Sequence, residues 1–554
     1  MSYTQFMATL VCVPIMVTDE ASALRDAAAA RDAGADMVEF RVDDFFAGAG
    51  DEEDAARVAR LASRSPLPCI LTCRPTWEGG HYDGDDDVRV AMFERACVGL
   101  QSGEHAPRYI DVELAAYNRS DNLRLKVNLC VDPRESEHAT GLILSSHDFD
   151  SRPADLTRRM LSMRSHETSR VHKGAFRARS LRENIELFEL LRHADRPMIA
   201  LGMGEFGLMS RVLAPKFGAF LTFASLRDST ATAPGQPTVA QLLETYRFRS
   251  IRASTRVYGV IGWPVSHSLS PRIHNAGFGE LGIDAVYLPM PIGAGVTPKD
   301  NDASLKATLA ELIEYSPLDF SGCSVTIPHK ESLVRIAREL GWEVDASAAM
   351  IGAANTVVIA REGERVRVRI FNSDASAAIE SIKSATEGGS IAGLTIGVVG
   401  AGGAGRAVAF GSAMAGATPI IFNRDRARAE ELANAVVTAT GVLARAEAWE
   451  GMAGAACDVW VNCTPLGMSN GPAPETLAIP GSALSRGAIV LDTVYTPRET
   501  PLVKAARECG CRVVEGLEMF VRQAAIQFEA WTGMPAPMET IRRTVMAALT
   551  PAEG

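Results

Sequence analysis

The sequence predicts an α/β protein in two unlike halves, a (β/α)8 TIM barrel followed by a two-domain unit with a Rossmann-type fold. Three observations lead there. From residue 8 to about 228, eight apolar strand-like runs alternate with helix-period segments. At Tyr258-Gly259-Val260-Ile261-Gly262 the pattern starts afresh. Further on, Gly397-Val398-Val399-Gly400-Ala401-Gly402-Gly403-Ala404-Gly405-Arg406 follows an apolar strand and opens a helix, where glycines permit a tight turn and close approach of a phosphate to backbone N–H groups. A length of 554 residues suits about three domains of roughly 100 to 200 residues each.

Taken in order, the barrel strands are expected at 8–14, 36–42, 68–74, 108–114, 142–147, 169–176, 197–203 and 219–225. Helices fill the gaps; Ser180 to Leu191 shows an apolar stripe at helical spacing with Ser180 as candidate cap. Arg124 to Asp132 is apolar enough for a further strand and has no place in this scheme. The barrel is assigned residues 1–246, and 247–256, without clean periodicity, is the expected linker. Residues 257–371 form the next domain, completed by helices of 516–554, and 372–515 form the Rossmann-type domain.

Composition narrows the function classes. A formal charge of -11 argues against nucleic acid as a partner, and the sequence has no apolar run long enough to span a bilayer. The ten cysteines lie scattered in apolar runs, without the paired spacing of a zinc site or disulfide framework, so no metal is expected. Cys509-Gly510-Cys511 lacks the two-residue spacer of a redox pair and reads as a turn before a strand. Thr9 to Val17 already reads as a strand, which points to a cytoplasmic protein without a cleaved leader. Oligomeric state is not legible.

Polar residues fall at the C-terminal ends of the expected barrel strands: Glu39 and Arg41, Arg74 and Glu78, His147, Lys173, Arg211, then Gln236. In a barrel these positions converge on one mouth. With Ser145-Ser146-His147-Asp148-Phe149, Glu78-Gly79-Gly80 and Ala233-Pro234-Gly235-Gln236, this half resembles the type I 3-dehydroquinate dehydratases. The resemblance implies that Lys173 forms a Schiff base with a substrate ketone, that His147 is the acid/base and that Glu78 orients it. It further implies that Arg211 grips the substrate carboxylate, with Glu39, Arg41, Arg74, Thr232 and Gln236 around the hydroxyls. A proton beside a ketone is a poor acid, and an iminium formed on an unprotonated lysine gives the carbanion an electron sink. A histidine then moves the protons. Two departures are the glycine in His172-Lys173-Gly174-Ala175-Phe176 and Thr232 in place of a serine.

In the second half, Ser268-Leu269-Ser270-Pro271, Ser324-Val325-Thr326-Ile327-Pro328-His329-Lys330, Gly352-Ala353-Ala354-Asn355-Thr356 and Asn372-Ser373-Asp374 precede the glycine loop. Tyr495 and Glu515 to Gln523 follow it. Their order resembles shikimate dehydrogenase, which implies a Lys330–Asp374 catalytic pair, a carboxylate site at Ser268 and Ser270, and further substrate contacts from Thr326, Asn355, Tyr495 and Gln523. Gly400, Gly402, Gly403, Ala404 and Gly405 would hold a dinucleotide, with Asn423, Arg424 and Arg428 at the adenosine ribose. Asp425 opposes this as an acidic ribose partner of NAD, but two arginines against one carboxylate favour NADP, with Asp425 capping the next helix. Asn372-Ser373-Asp374-Ala375 lacks a glycine after the aspartate, and Leu288 to Glu314 is longer than usual.

The product of the first chemistry, 3-dehydroshikimate, is the ketone reduced by the second, so a bifunctional enzyme is expected, taking 3-dehydroquinate to shikimate with NADP. Rival readings are a quinate dehydrogenase in the second half, which retention of both Ser268 and Ser270 disfavours, and a quinate-pathway regulatory protein, which the intact reacting residues disfavour.

Overall fold

A computed structural model describes residues 8–46, 52–132, 139–230, 235–293, 295, 297–363, 365–469 and 471–549. The chain divides into two compact units, Met1–Thr255 and Arg256–Gly554. Among the described residues no helix is long and apolar enough to cross a membrane.

The first unit is an eight-stranded, all-parallel barrel. Its strands are β1 (Leu10–Met16), β2 (Met37–Arg41), β3 (Cys69–Thr72), β4 (Tyr109–Glu113), β5 (Gly141–Asp148), β6 (Ser169–Arg177), β7 (Met198–Met203) and β8 (Leu221–Phe223). Each neighbours the next in sequence, β8 pairs with β1, and Phe220 N–H donates to Met198 O at 2.8 Å where β8 meets β7. Side chains including Cys12, Met37, Ile70, Ile143, Val171, Ile199 and Leu221 fill the interior. The barrel is thus a packed core rather than a pore, and polar chemistry is confined to its upper end.

Three local expectations need correction. Arg124 to Asp132 is not a strand: Asp121–Leu129 is a helix, capped by Ser120 and burying Leu123 and Val127, four residues apart on one face. Ser180 caps nothing, because the helix it precedes runs Glu183–Arg192 after a turn and its cap position is Arg182. Residues 247–255 are not a free linker, since Phe248 and Ile251 are buried and Arg249 pairs with Asp36. Lys216 also donates to the carbonyls of Ala253 and Thr255 at 2.7 and 2.8 Å.

The second unit has two sheets. One is mixed, in the order β10-β9-β11-β13-β14-β12, from β9 (Arg256–Gly262), β10 (Ala285–Pro291), β11 (Phe320–Val325), β12 (Glu343–Val344), β13 (Thr356–Glu362) and β14 (Arg365–Phe371). The insertion after Leu288 contributes the helix Pro298–Glu314, opened by a capping box at Thr297. The other sheet is parallel, in the order β17-β16-β15-β18-β19-β20. Its strands are β15 (Thr395–Val399), β16 (Thr418–Phe422), β17 (Arg445–Glu447), β18 (Val459–Asn462), β19 (Ile489–Asp492) and β20 (Arg512–Val514). The centre of this order, where β15 lies between β16 and β18, is the switch point at which doubly wound sheets bind ligands. The final helices, Gly516–Thr532 and Met538–Leu549, return to the first lobe, where Val521, Ala524, Ile541 and Val545 pack with Ile273. Trp531 Nε1 donates to Val357 O of β13. Cys509-Gly510-Cys511 is the turn into β20, with Gly510 at φ 75°.

Candidate active sites

The mouth of the barrel gathers its charged residues into one buried network. Lys173 on β6 is 5% exposed, and its Nζ donates to Asp111 Oδ2 on β4 at 2.9 Å. It lies 3.6 Å from Glu39 on β2 and 4.7 Å from the Phe223 ring on β8. These four side chains come from alternate strands, as the layers of such barrels do. Threonine and serine of the intervening strands brace them: Thr72 donates to Glu39 at 2.8 Å and Ser145 to Asp111 at 2.6 Å.

His147 and Glu78 also meet, with Nδ1 and Oε2 2.9 Å apart. Glu78 closes a short turn that ends in Gly79 at φ 77°, and a Cβ there would lie 2.2 Å from the Phe149 ring. That close approach lets Phe149 stack on the imidazole at 6.2 Å. Burial, then Arg74 and Lys173, holds His147 well below its usual range, and burial pushes Glu78 up to about 8 against the opposing Arg74. The contact is therefore a hydrogen bond to a neutral imidazole rather than an ion pair, which leaves the imidazole free to accept a proton.

Arg74, expected around the substrate hydroxyls, donates from its guanidinium to Asp111 at 2.8 Å, Glu113 at 2.6 Å and Ser145 at 2.9 Å, and so braces the carboxylates at the mouth. Arg41 is clamped by Asp43, which also accepts from the Arg74 backbone N–H. Asp111 and Glu113 were not anticipated from sequence. Burial alone would raise Asp111, but Arg74 and Lys173 outweigh it and hold the carboxyl far below its usual range. Arg211, in the helix Leu208–Val212, is 2% exposed; among the described residues Nη1 reaches Phe223 O, at 3.4 Å, and Nε has no acceptor. Gln236 is 8% exposed, and Thr232 lies outside the described residues. Gly174 is not forced by packing, because a Cβ there would meet Met160 at an ordinary 3.5 Å.

In the second unit Lys330 Nζ donates to Asp374 Oδ2 at 2.6 Å. Asp374 sits in the first turn of the helix Ser373–Lys383, whose cap Asn372 accepts from the N–H groups of Asp374 and Ala375. Asn355 is buried and internally committed, donating to Ser373 Oγ at 3.0 Å and accepting from Thr356 and the Ser373 N–H. Gln527, which the motifs did not single out, donates to Asn355 O and Thr356 Oγ1, tying the C-terminal helix to this corner. Ser268 Oγ accepts from the Ser270 N–H at 3.2 Å where the helix Ser270–Glu280 begins. Thr326 N–H donates to Ile261 O of β9. Tyr495 packs on Phe520 at 4.5 Å and Gln523 donates to Phe520 O, so these two residues lie together. Burial pushes the Tyr495 hydroxyl up to about 12.

The glycine loop fits a dinucleotide. A Cβ on Gly405 would lie 1.9 Å from Gly400 O, and one on Gly403 would lie 3.0 Å from the Lys330 chain, so bare backbone runs from β15 past the Lys330–Asp374 pair. Gly402 caps the helix Gly403–Met414 without a side chain, and Ala404 lies in its first turn. Asn423 donates to Asp425 O, while Asp425 caps the helix Arg426–Thr440, accepting from Ala427 and Arg428 N–H. Asp425 is thus turned into its own helix. Arg424 is exposed, with no ion pair among the described residues, and Arg428 lies 3.8 Å from Glu331.

Family models agree with this division. Residues 11–253 match type I 3-dehydroquinase, 260–357 the shikimate dehydrogenase substrate binding domain and 516–546 the shikimate 5'-dehydrogenase C-terminal domain. A bifunctional 3-dehydroquinate dehydratase/shikimate dehydrogenase, chloroplastic, of Arabidopsis thaliana is 36% identical over 96% of this chain and 83% of its own. A shikimate dehydrogenase (NADP(+)) of Methanocella arvoryzae is 38% identical over 53% of this chain and 99% of its own. A crystal structure of a shikimate dehydrogenase in complex with NADP+ shares 31% identity at a TM-score of 0.46, covering 54% of this chain and 98% of that one. The chain belongs to the family of bifunctional 3-dehydroquinate dehydratase/shikimate dehydrogenases.

Proposed function

We infer that the first unit dehydrates 3-dehydroquinate to 3-dehydroshikimate and that the second reduces this ketone to shikimate with NADPH. The observation that carries the reading is the presence, in one chain, of two reacting sets. One is a buried barrel-strand lysine near a His147–Glu78 couple; the other is a Lys330–Asp374 pair packed against a glycine loop.

In the first reaction Lys173 Nζ joins the substrate ketone carbon and the carbonyl oxygen leaves as water. His147, kept neutral by burial, takes the adjacent proton, and the electrons move onto the nitrogen. The same imidazole then protonates the departing hydroxyl, and hydrolysis frees Lys173. Arg211 offers to the substrate carboxylate a buried guanidinium whose Nε has no acceptor among the described residues. Glu39, Arg41, Gln236 and Thr232 are the proposed hydroxyl contacts.

In the second, NADPH supplies the hydride when bound. Gly400, Gly402, Gly403, Ala404 and Gly405 would hold its pyrophosphate, and Asn423, Arg424 and Arg428 the adenosine end. Lys330, paired with Asp374, donates the proton that the forming alkoxide needs, while Ser268 and Ser270 hold the carboxylate and Thr326, Asn355, Tyr495 and Gln523 shape the pocket.

Supplying 3-dehydroquinate and NADPH to the purified chain tests the reading. Shikimate should form with oxidation of the cofactor, and 3-dehydroshikimate should accumulate when NADPH is withheld. Quinate as the reduced product, or no turnover of 3-dehydroquinate, would overturn it.

A further inference from the structure

We propose that Asp111 is the fixed counter-ion of Lys173, pairing first with the ammonium and then with the iminium, and that it keeps the Schiff-base nitrogen protonated. The proposal rests on the Schiff-base reading given above. The geometry is specific. Asp111 is wholly buried and uses its two oxygens separately, Oδ2 for Lys173 at 2.9 Å and Oδ1 for Arg74 at 2.8 Å and Ser145 at 2.6 Å. Glu39 is farther, at 3.6 Å, and accepts from Thr72. Asp111 therefore has one oxygen reserved for the reacting nitrogen and none turned to the substrate.

The charge balance explains why such a group is useful. An ammonium and a ketone give an iminium and one water, with the positive charge still on Nζ, so an anion matched to the first state matches the second. An imine nitrogen that lost its proton would be a weak electron sink. When the adjacent proton leaves, the charge passes from Nζ to His147, which also lies in the field of Asp111. The groups facing Nζ are Asp111 and Glu39, with Arg74, His147 and Cys12 behind them and the Phe223 ring at 4.7 Å. Arg74 is itself neutralised by Glu113 at 2.6 Å, so Asp111 is the nearest compensating charge. Because Arg74 and Lys173 hold Asp111 ionised, it serves as a charge and not as a base.

The test compares the full chain with its Asp111→Asn and Asp111→Glu variants, following dehydratase kcat against pH. An opposite charge at this range favours the cationic form by about one to three pKa units, so Asp111→Asn should move the alkaline limb of kcat that far towards acid, and Asp111→Glu should restore it. A lowered kcat with an unmoved limb would overturn the proposal. A second measurement needs no variant: the 15N shift of labelled Lys173 in the trapped wild-type complex should report a protonated iminium from about pH 6 to about pH 9, and deprotonation near neutrality would overturn it. Borohydride with wild type and substrate separates the two readings. Absence of an adduct on Lys173 would sink the Schiff-base reading itself, whereas an adduct with an unmoved limb in Asp111→Asn would sink only the counter-ion.

Discussion

Arg211 is held charged in a buried site with no carboxylate beside it among the described residues, and that makes its removal double-edged. Among the described residues no carboxylate lies within ion-pair distance of it, and burial alone pushes it below the usual guanidinium range, down to about 10. It is still cationic at neutral pH, and at about 1.4 kcal/mol per pKa unit the drop corresponds to roughly 3–4 kcal/mol of unrelieved desolvation in the free enzyme. A substrate carboxylate would relieve this through charge-assisted hydrogen bonds worth about 1.5–3 kcal/mol each. Arg211→Gln should therefore lower dehydratase kcat/KM by about 10²–10³-fold, mainly through KM, while the free barrel melts at the same temperature or higher. Steady-state kinetics and a melt of the substrate-free chain give both readouts. A loss under tenfold, or a clearly less stable free barrel, would show that Arg211 has a structural partner and does not await a ligand.

Arg424→Ala should cost about 10–100-fold in kcat/KM with NADPH, mostly in KM, and little with NADH, since one charge-assisted contact to the 2′-phosphate is lost; equal or better turnover of the wild type with NADH would show that Asp425 serves the ribose instead. His274 is fully buried among Tyr287, Phe278, Phe528 and Trp531, with neither ring nitrogen hydrogen-bonded and its pKa pushed by burial down to about 3. A folded value below the unfolded one means the stability it confers is present above about 6.5 and lost as pH falls, so going to about pH 4.5 should cost the second unit about 2–3 kcal/mol, a loss that melts of His274→Phe should not show. A barrel fragment ending at residue 255 should melt higher than one ending at 250, because the shorter piece removes the Ala253 and Thr255 acceptors of Lys216 and the buried Ile251. Equal melting temperatures would make that segment a linker after all.

The barrel strands were legible because apolar runs of strand length recur between helix-period segments, and all eight fall close to where they were expected. The glycine loop was legible because a backbone-lined turn leaves its composition in the sequence, and Asp425 reads as a cap because Asp at a helix start has a local job. Asp111 and Glu113 were not. In Tyr109-Ile110-Asp111-Val112-Glu113 they look like the wet face of an alternating strand, and only closure of the barrel puts both carboxylates at zero exposure against Arg74 and Lys173. The bracing role of Arg74 was not legible for the same reason, since its partners lie on a strand that its own motif does not mention. Arg124 to Asp132 misled because composition was weighed above spacing, while Leu123 and Val127 stand four apart. The linker misled because Arg249 and Phe248 look like an unpatterned polar stretch until Asp36 and the barrel wall are beside them.

One chain is expected to hold two separable chemistries, each dependent on its own lysine. The most direct measurement mixes two full-length variants, Lys173→Ala and Lys330→Ala, with 3-dehydroquinate and NADPH. Neither alone should yield shikimate, Lys330→Ala should accumulate 3-dehydroshikimate, and the mixture should restore shikimate formation because the intermediate can pass from one molecule to the other. Shikimate formation by either variant alone at the wild-type rate, or a mixture as inactive as its parts although both variants are folded, would contradict the account.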